Sequence, residues 1–359
     1  MAEGGVNWQA LFPTRWSFVI FVTYMMCFIF QGIMVTASQR PDYSYSYNTV
    51  TVVLFTEATK LVASFILYIK DHKIVTFFAE IKKHFRVLLL YMIPALLYCF
   101  YNNLAFVNLA AFDPTTYFLL LQFRVVVTGI VFQIIFKKKL STKQWISLII
   151  LTVGCIMKQL STSEKSSSSQ APPTDLWDNL LSLHIGLLMV QVMCSCLAGV
   201  YNEKLLKDTG AEVHIMMQNI FMYIDSIICN LAVLLYRGEL SFAFKYTSLI
   251  QIWQPIVVII ILNNAAVGIV TSLFLRSLNS ILKTFASALE LVFTAVLSWV
   301  IFGIPINGWT FLAIALVSLA SWMYSQNPVI NRGRLDEVEK AHDSEAEEKL
   351  LPRNAPTQV

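Results

Sequence analysis

Nine ionisable side chains lie inside or at the edges of long apolar segments, where a charge must be compensated. They are Glu57, Lys60, Arg124, Glu203, Lys204, Asp225, Arg276, Lys283 and Glu290. A charged side chain at the centre of a membrane helix costs roughly 2.5 to 3.5 kcal/mol, so each needs a partner or a function. Glu57 and Lys60 are three residues apart and can meet on one helix face. This spacing predicts a structural charge pair.

Arg124 and Lys283 have no acidic residue within one helical turn along the chain. If both side chains reach one interior cavity from different helices, an anionic ligand would compensate them. Guanidinium binds phosphate oxygens as a bidentate fork, and ammonium binds them as a point charge. The alternative is that Arg124 pairs with Glu290 or Asp225. The residues themselves leave both interpretations open.

A second group of candidates is polar and uncharged. It comprises Tyr98, Tyr101, Asn102 and Asn103, then Tyr117 and Gln122, then Asn219 and Tyr223 beside Asp225. Side-chain amides match the donor and acceptor edge of a nucleobase, and tyrosine offers a stacking face with a hydroxyl group. Hydrogen bonding between helices explains the same residue types. By themselves, these residues favour hydrogen bonding between helices over nucleobase binding.

The elements that must position these side chains are membrane helices. Of 359 residues, 57% are hydrophobic and only 13% are charged, and the mean hydropathy is +0.63. Such a composition excludes a soluble domain, and the apolar segments are long enough to cross a hydrocarbon core of roughly 30 Å. Backbone groups cannot bond to water there, so an all-α polytopic membrane protein is predicted. The predicted transmembrane helices number ten: 16–37, 50–69, 87–109, 115–136, 142–158, 180–202, 214–235, 250–275, 284–302 and 307–324.

Lysine and arginine in the short loops predict the orientation. Basic residues concentrate at 70–86 and at 137–143, which places both loops and both termini in the cytosol. We expect a cytosolic N-terminus at 1–15, five-helix halves at 16–160 and 180–325 and a disordered cytosolic tail at 326–359. The Ser/Pro-rich stretch 161–179 between the halves is predicted to be a flexible lumenal loop.

Other chemistry is not indicated. All six cysteines, namely Cys27, Cys99, Cys155, Cys194, Cys196 and Cys229, fall in predicted spans, which argues against a disulfide framework. We predict no catalytic residue, metal site or cofactor and no nucleic-acid partner. The bilayer is one predicted partner, and a second copy of the chain or a glycosyltransferase is a further candidate.

Several motifs in order along the chain carry a family resemblance. They are Thr56–Leu61, Tyr101–Phe106, Tyr117–Arg124, Gly199–Lys204 and Ser280–Ala286. From the first span to about residue 325, the chain resembles the nucleotide-sugar transporter family of the drug/metabolite transporter superfamily. The resemblance is to the branch for CMP-sialic acid, UDP-galactose and UDP-N-acetylglucosamine.

This resemblance implies an antiporter without covalent chemistry. It would exchange a cytosolic nucleotide sugar for a lumenal nucleoside monophosphate, usually in the Golgi membrane. The resemblance assigns Tyr98, Asn102, Asn103 and Tyr117 to the nucleotide pocket and directs Arg124 and Lys283 at the phosphates. It also assigns Asn219 and Tyr223 to the pocket.

Departures from the family pattern bear on the substrate. Compared with the CMP-sialic acid carrier, this chain has arginine in place of lysine at Arg124 and carboxylates at Asp225 and Glu290. A carboxylate near the cavity would repel the carboxylate of sialate, so we expect a UDP-sugar as substrate. Of the UDP-sugars, we expect UDP-galactose before UDP-N-acetylglucosamine. The alternatives are a CMP-sialic acid transporter, a scaffold for glycosyltransferases that does not transport, and an exporter of small cations. The excess of bases over acids disfavours the exporter.

Overall fold

The protein was analysed as a computed structural model, which describes residues 7–38, 47, 49–111, 117, 120–163, 183–238, 240–302 and 308–335. In this part of the chain all regular structure is helical, as predicted. The helices are α1 (Trp8–Leu11), α2 (Arg15–Ser38), α3 (Thr49–Asp71), α4 (Ile74–Lys83), α5 (Phe85–Ala111), α6 (Arg124–Phe136), α7 (Thr142–Ser163), α8 (Leu183–Lys204), α9 (Ile215–Arg237), α10 (Leu240–Ala243), α11 (Tyr246–Ile252), α12 (Pro255–Ser277), α13 (Ser280–Phe302) and α14 (Gly308–Gln326). A π-helical turn, Leu205–Thr209, extends α8.

Seven of these helices, α3, α5, α8, α9, α12, α13 and α14, are long and apolar enough to cross a membrane. Three shorter apolar segments, Arg15–Gln31, Arg124–Phe136 and Thr142–Met157, coincide with the other predicted spans. Large apolar side chains such as Trp16 and Ile134 are 75% and 69% exposed. Outward-facing apolar side chains of this size suit a lipid environment.

Two predicted spans are interrupted. The segment 115–136 breaks at Gln122–Phe123, where Phe123 N–H bonds to Leu120 and Val125 N–H bonds to Gln122, both three residues back. Such bonds tighten the chain into a 3₁₀-like turn, and a new helix begins at Arg124. Arg124 is therefore the first residue of α6 and lies next to a break within the predicted segment. Likewise, residues 250–254 do not belong to α12, because Pro255 occupies its first turn.

The helices pack mainly across the predicted halves. Helix α5 contacts α8 and α9, α2 contacts α12 and α13, α6 contacts α8 and α13, and α7 contacts α14. In each of these pairs one helix precedes the Ser/Pro-rich stretch and the other follows it. The largest buried cluster draws residues from both sides, including Tyr24, Phe132, Phe274 and Tyr324. Interior cavities therefore lie between helices that are far apart in sequence.

The first residues after α14 pack against the rest of the protein. Residues 327–335 lie against the helix ends, with Asn331 and Leu335 only 5% and 6% exposed, which corrects the expectation of a disordered tail from 326. Residues 336–359 and most of the predicted loop 161–179 lie outside the described residues, although 161–163 form the end of α7. Asn7 N–H donates to Ser325 at 3.0 Å, so the beginning of the described chain and the end of α14 lie together.

Candidate functional site

Two polar cavities lie among the helices. The arginine cavity has a volume of about 100 Å³ and is lined by Gln122, Arg124, Val125, Thr128, Cys155, Ser195, Cys196, Gly199, Val200, Ser280, Lys283, Thr284, Ser287 and Ala288. The amide cavity has a volume of about 280 Å³ and is lined by Val53, Glu57, Lys60, Tyr98, Cys99, Asn102, Asn202, Asn219, Met222, Tyr223, Ser226, Asn230, Gly268, Thr271, Ser272 and Lys283. Lys283 lines both, so the two cavities meet at its side chain.

Two helix N-termini frame the arginine cavity. Arg124 is the first residue of α6, and Ser280, the first residue of α13, comes one turn before Lys283. The N-terminal end of a helix carries a partial positive charge and unbonded N–H groups, which favour anions. Broken helices that direct these ends toward a binding site recur in membrane transporters. At α13 the Ser280 N–H already donates to Glu203 and the Leu282 N–H to the Asn279 side chain, so the positive charge of the cavity comes from the Arg124 and Lys283 side chains.

Arg124 and Lys283 are not compensated by protein groups. Within the described part of the chain, neither side chain has a hydrogen bond or an ion pair with another residue. Each cation lies within the electrostatic range of the other, and Glu290 lies within range of Arg124 without an ion pair. The alternative of a direct Arg124 salt bridge to Glu290 or Asp225 therefore does not hold in this structure. The cavity has the chemistry of a site for an anion with several oxygens.

The amide cavity presents uncharged polar groups. Asn102 and Tyr98 come from α5, and Asn219 and Tyr223 come from α9. All four were predicted as binding residues, and the structure brings them together beside Lys283. Amide and phenol groups in one enclosed space can bond to a base or a sugar, and the rings provide apolar faces.

The Glu57–Lys60 pair forms as predicted, with 2.7 Å between Lys60 Nζ and Glu57 Oε1. The ammonium also lies 5.5 Å from the centre of the Tyr223 ring. Gly268 permits this approach, because a Cβ atom there would lie 2.8 Å from Lys60 Cε. Both residues of the pair line the amide cavity. The purely structural role predicted from the sequence therefore does not describe their position fully.

Four predicted binding residues line neither cavity: Tyr101, Asn103, Tyr117 and Asp225. Asn103 donates within its own helix to the carbonyl of Cys99 at 2.8 Å. The Tyr117 hydroxyl accepts a 2.8 Å bond from Gln191. Asp225 is only 2% exposed. For Tyr101, Asn103 and Asp225, the spacing along α5 and α9 directs the side chains away from the cavities that their neighbours line.

Several lining residues were not predicted. Asn202, Ser226, Asn230, Thr271 and Ser272 line the amide cavity, and Thr128, Ser195, Thr284 and Ser287 line the arginine cavity. Many of the hydroxyls bond within their own helix, as Thr128 Oγ1 does to the Arg124 carbonyl at 2.7 Å. Such residues are common in membrane helices and carry no distinguishing signal. Asn202 was within reach of the sequence, because it belongs to the Gly199–Lys204 motif.

Fold and site together define a polytopic helical membrane protein with an internal basic cavity. Residues 15–325 match the family model described as nucleotide-sugar transporter. The UDP-galactose transporter senju of Drosophila melanogaster is 55% identical, over 94% of this chain and 93% of its own length. The CMP-sialic acid transporters 1 of Oryza sativa subsp. japonica and Arabidopsis thaliana are 28% and 26% identical, over 82% and 88% of this chain and 89% and 91% of their own.

The chain therefore belongs to the nucleotide-sugar transporter family, as its motifs predicted. A solved crystal structure with 12% sequence identity superimposes with a TM-score of 0.52, covering 87% of this chain and 96% of that one. This likeness concerns the fold alone.

Proposed function

We propose that the protein is an antiporter of the Golgi membrane that exchanges a cytosolic UDP-sugar for lumenal UMP by alternating access. The observation that carries the proposal is the uncompensated pair of cations, Arg124 and Lys283, in one cavity. They come from helices far apart in sequence, and among the described residues neither side chain forms an ion pair with an acidic group. A diphosphate supplies the missing negative charge and enough oxygens to occupy both groups.

The ligand would lie across both cavities. Its phosphates occupy the arginine cavity, between the N-termini of α6 and α13. The nucleoside and the sugar extend into the amide cavity, where Tyr98, Asn102 and Asn219 provide the stacking and hydrogen-bonding groups. Lys283 lies where the two cavities meet, so it contacts the phosphates from the amide side.

UDP-galactose is the preferred substrate in this proposal, with UDP-N-acetylglucosamine second. The preference rests on the UDP-galactose transporter at 55% identity, against CMP-sialic acid transporters at 28% and 26%. The expected repulsion of sialate by Asp225 and Glu290 contributes little, because neither residue lines a cavity. The carboxylate that does face the amide cavity is Glu57, which is paired with Lys60.

Obligatory exchange follows from the same charges. An empty carrier that reorients would bury two cations without counter-ions, and burying an unpaired charge is costly. Binding of either nucleotide neutralises the cavity, so loaded carriers reorient faster than empty ones. Both termini would face the cytosol, on the side of the loop that contains Lys137, Lys138 and Lys139.

The proposal is tested by uptake of labelled nucleotide sugars into proteoliposomes that contain purified protein. Vesicles are loaded with UMP, with CMP or with buffer, and UDP-galactose, UDP-N-acetylglucosamine and CMP-sialic acid are offered outside. Arg124→Ala and Lys283→Ala are compared with Lys83→Ala, a control cation whose side chain is 68% exposed.

We expect uptake of UDP-galactose only into vesicles loaded with UMP, with loss of uptake in the two cavity variants and wild-type uptake in the control. Uptake driven by CMP and selective for CMP-sialic acid would reassign the substrate. Equal uptake into vesicles containing only buffer would refute obligatory exchange. Absence of uptake for every substrate by folded protein would refute transport and favour the scaffold alternative.

A further inference from the structure

The segment Asn327–Leu335, here called the strap, follows the last helix and runs over the ends of several others. It contains buried residues, with Val329, Asn331 and Leu335 at most 9% exposed. The strap shares one end of the molecule with the loop that holds Lys138, because Lys138 Nζ donates to the Ile330 carbonyl at 3.2 Å. The basic residues at 137–143 predict that this end of the molecule faces the cytosol.

An ion pair without solvent access lies beneath the strap. Glu203 and Lys207, one turn apart at the end of α8, are both 0% exposed, and Lys207 Nζ lies 2.9 Å from Glu203 Oε1. The strap completes their coordination: Asn331 Nδ2 donates to Glu203 Oε1 at 2.7 Å, and Lys207 Nζ donates to the Asn331 carbonyl at 2.5 Å. A buried ion pair is favourable only when its remaining donors and acceptors are satisfied in this way.

The same ion pair binds the beginning of α13, the helix that carries Lys283. Lys207 Nζ donates to the Leu278 carbonyl, and Glu203 Oε2 accepts the Ser280 N–H at 2.7 Å. The strap also contacts this junction directly, since Asn279 Nδ2 donates to the Val329 carbonyl at 2.8 Å. The strap, the ion pair and the first turn of α13 therefore form one polar network, which borders the arginine cavity at Ser280.

The network reaches the first part of the chain as well. Lys138 also donates to Asn331 Oδ1 at 3.0 Å, and Gln144 Nε2, at the start of α7, donates to the Asn327 carbonyl at 2.9 Å. Asn331 is thus shared between Lys138, which precedes the Ser/Pro-rich stretch, and Glu203 and Lys207, which follow it. One short segment joins helix ends from both predicted halves.

Gly333 shows that the path of the strap is specific. Its φ angle is +59°, a left-handed conformation that favours glycine. A Cβ atom at this position would collide with the Asp208 carboxylate and lie 3.1 Å from Lys207 Cβ. The Asp208 carboxylate in turn accepts the Arg334 N–H at 3.2 Å. A side chain at 333 is therefore strained in the docked strap and requires Asp208 to move.

We propose that the strap is a latch that closes the cytosolic end of the cavity and must detach before the cavity opens to the cytosol. The proposal rests on the proposed alternating-access function. In the closed state the strap holds α8 and α13 against the ends of α6 and α7. Opening separates these elements, breaks the Asn331 bonds and exposes Glu203 and Lys207 to water, which can solvate both charges. The polar network thus has two discrete states rather than a continuum.

A cysteine reporter tests the latch. Ser280→Cys is placed in a background whose six native cysteines are replaced, because Ser280 lines the arginine cavity, is 4% exposed, and its hydroxyl has no partner among the described residues. Sealed vesicles with the cytosolic face outward are treated with a membrane-impermeant maleimide. The labelling rate then measures how often the cytosolic end opens.

The latch is weakened by Asn331→Ala and by Gly333→Ala. The matched control is Gly238→Ala at the end of α9, which also has a positive φ angle, +70°, but open space around its Cβ position. Losing one hydrogen bond to a charged group corresponds to about a tenfold change in an equilibrium, and Asn331→Ala removes two, those to Glu203 and Lys138. We therefore expect labelling to rise at least tenfold in Asn331→Ala, to rise in Gly333→Ala as well, and to stay at the parent rate in the control.

Truncation separates the strap from the rest of the C-terminal chain. A chain that ends at Leu335 keeps the strap, and we expect it to label at the parent rate, whereas a chain that ends at Gln326 should label faster. Unchanged labelling in folded Asn331→Ala and Gly333→Ala proteins would overturn the latch. Faster labelling combined with no exchange of any nucleotide sugar would support the latch and refute the transport proposal, so the two failures are distinguishable.

Discussion

Replacing Arg124 should separate ligand affinity from protein stability. The Arg124 side chain has no hydrogen bond or ion pair within the described chain, so Arg124→Ala removes no direct side-chain contact of this kind and lessens the repulsion on Lys283. We expect the free energy of unfolding to change by no more than about 1 kcal/mol, in either direction. The matched variant is Lys60→Ala, which removes the partner of Glu57 and should cost about 3 kcal/mol.

The effect of Arg124→Ala on binding is expected to be large. Charge-assisted hydrogen bonds contribute about 1.5 to 3 kcal/mol each, so the Kd for UMP should rise roughly ten- to a hundredfold. At a ligand concentration of about 100 Kd, a bound ligand stabilises the native state by about 2.7 kcal/mol. At the same UMP concentration, a hundredfold weaker Kd leaves only about 0.4 kcal/mol.

The assay is thermal unfolding of the purified protein in detergent, with and without UMP. Wild-type protein should show a clear upward shift of Tm with UMP, and Arg124→Ala should start from a similar Tm and shift little. Lys60→Ala should start from a lower Tm. If Arg124→Ala without ligand unfolded as readily as Lys60→Ala, Arg124 would be a structural residue with a protein partner, and the anion-site reasoning would be refuted.

Two further predictions concern contacts outside the cavities. Gln191 is fully buried and links Asn108 to the Tyr117 hydroxyl through two hydrogen bonds of 2.8 Å. Gln191→Leu should therefore lower the free energy of unfolding by about 1 to 3 kcal/mol, measured by chemical denaturation. An unchanged free energy of unfolding would refute the role of this bridge. Burial, followed by the charges of the neighbouring His72 and Arg276, lowers the pKa of His214 against the weaker effect of Asp71. The neutral form of His214 is therefore favoured in the folded state, and stability should be lost as the pH falls below the unfolded pKa of about 6.5. The decrease in Tm between pH 7.5 and pH 5.5 should be smaller in His214→Gln than in the wild-type protein. An equal decrease would contradict the contribution of His214 to the pH dependence of stability.

Local composition and short spacing along the chain were sufficient to predict several features of this protein. Long apolar segments require helices in a membrane, because every backbone group must bond within its own segment. The Glu57–Lys60 pair followed from a separation of three residues, which places both side chains on one helix face whatever the tertiary packing. The absence of acidic neighbours along the chain indicated that Arg124 and Lys283 need a counter-charge from elsewhere, but it left open whether a ligand or another helix supplies that charge.

Which side chains of different helices meet could not be predicted from local sequence, because it depends on how the helices pack. The transmembrane helices are apolar on most faces, so their pattern does not determine how far each is rotated about its axis. That rotation directs Asn219 and Tyr223 into the amide cavity and leaves Asp225, on the same helix, outside it. The four-residue spacing of Glu203 and Lys207 permits an ion pair, but its complete burial and its bonds to Asn331, more than a hundred residues away, could not be predicted from that spacing. Long-range contacts of this kind come from packing between helices, which no local segment of the chain contains.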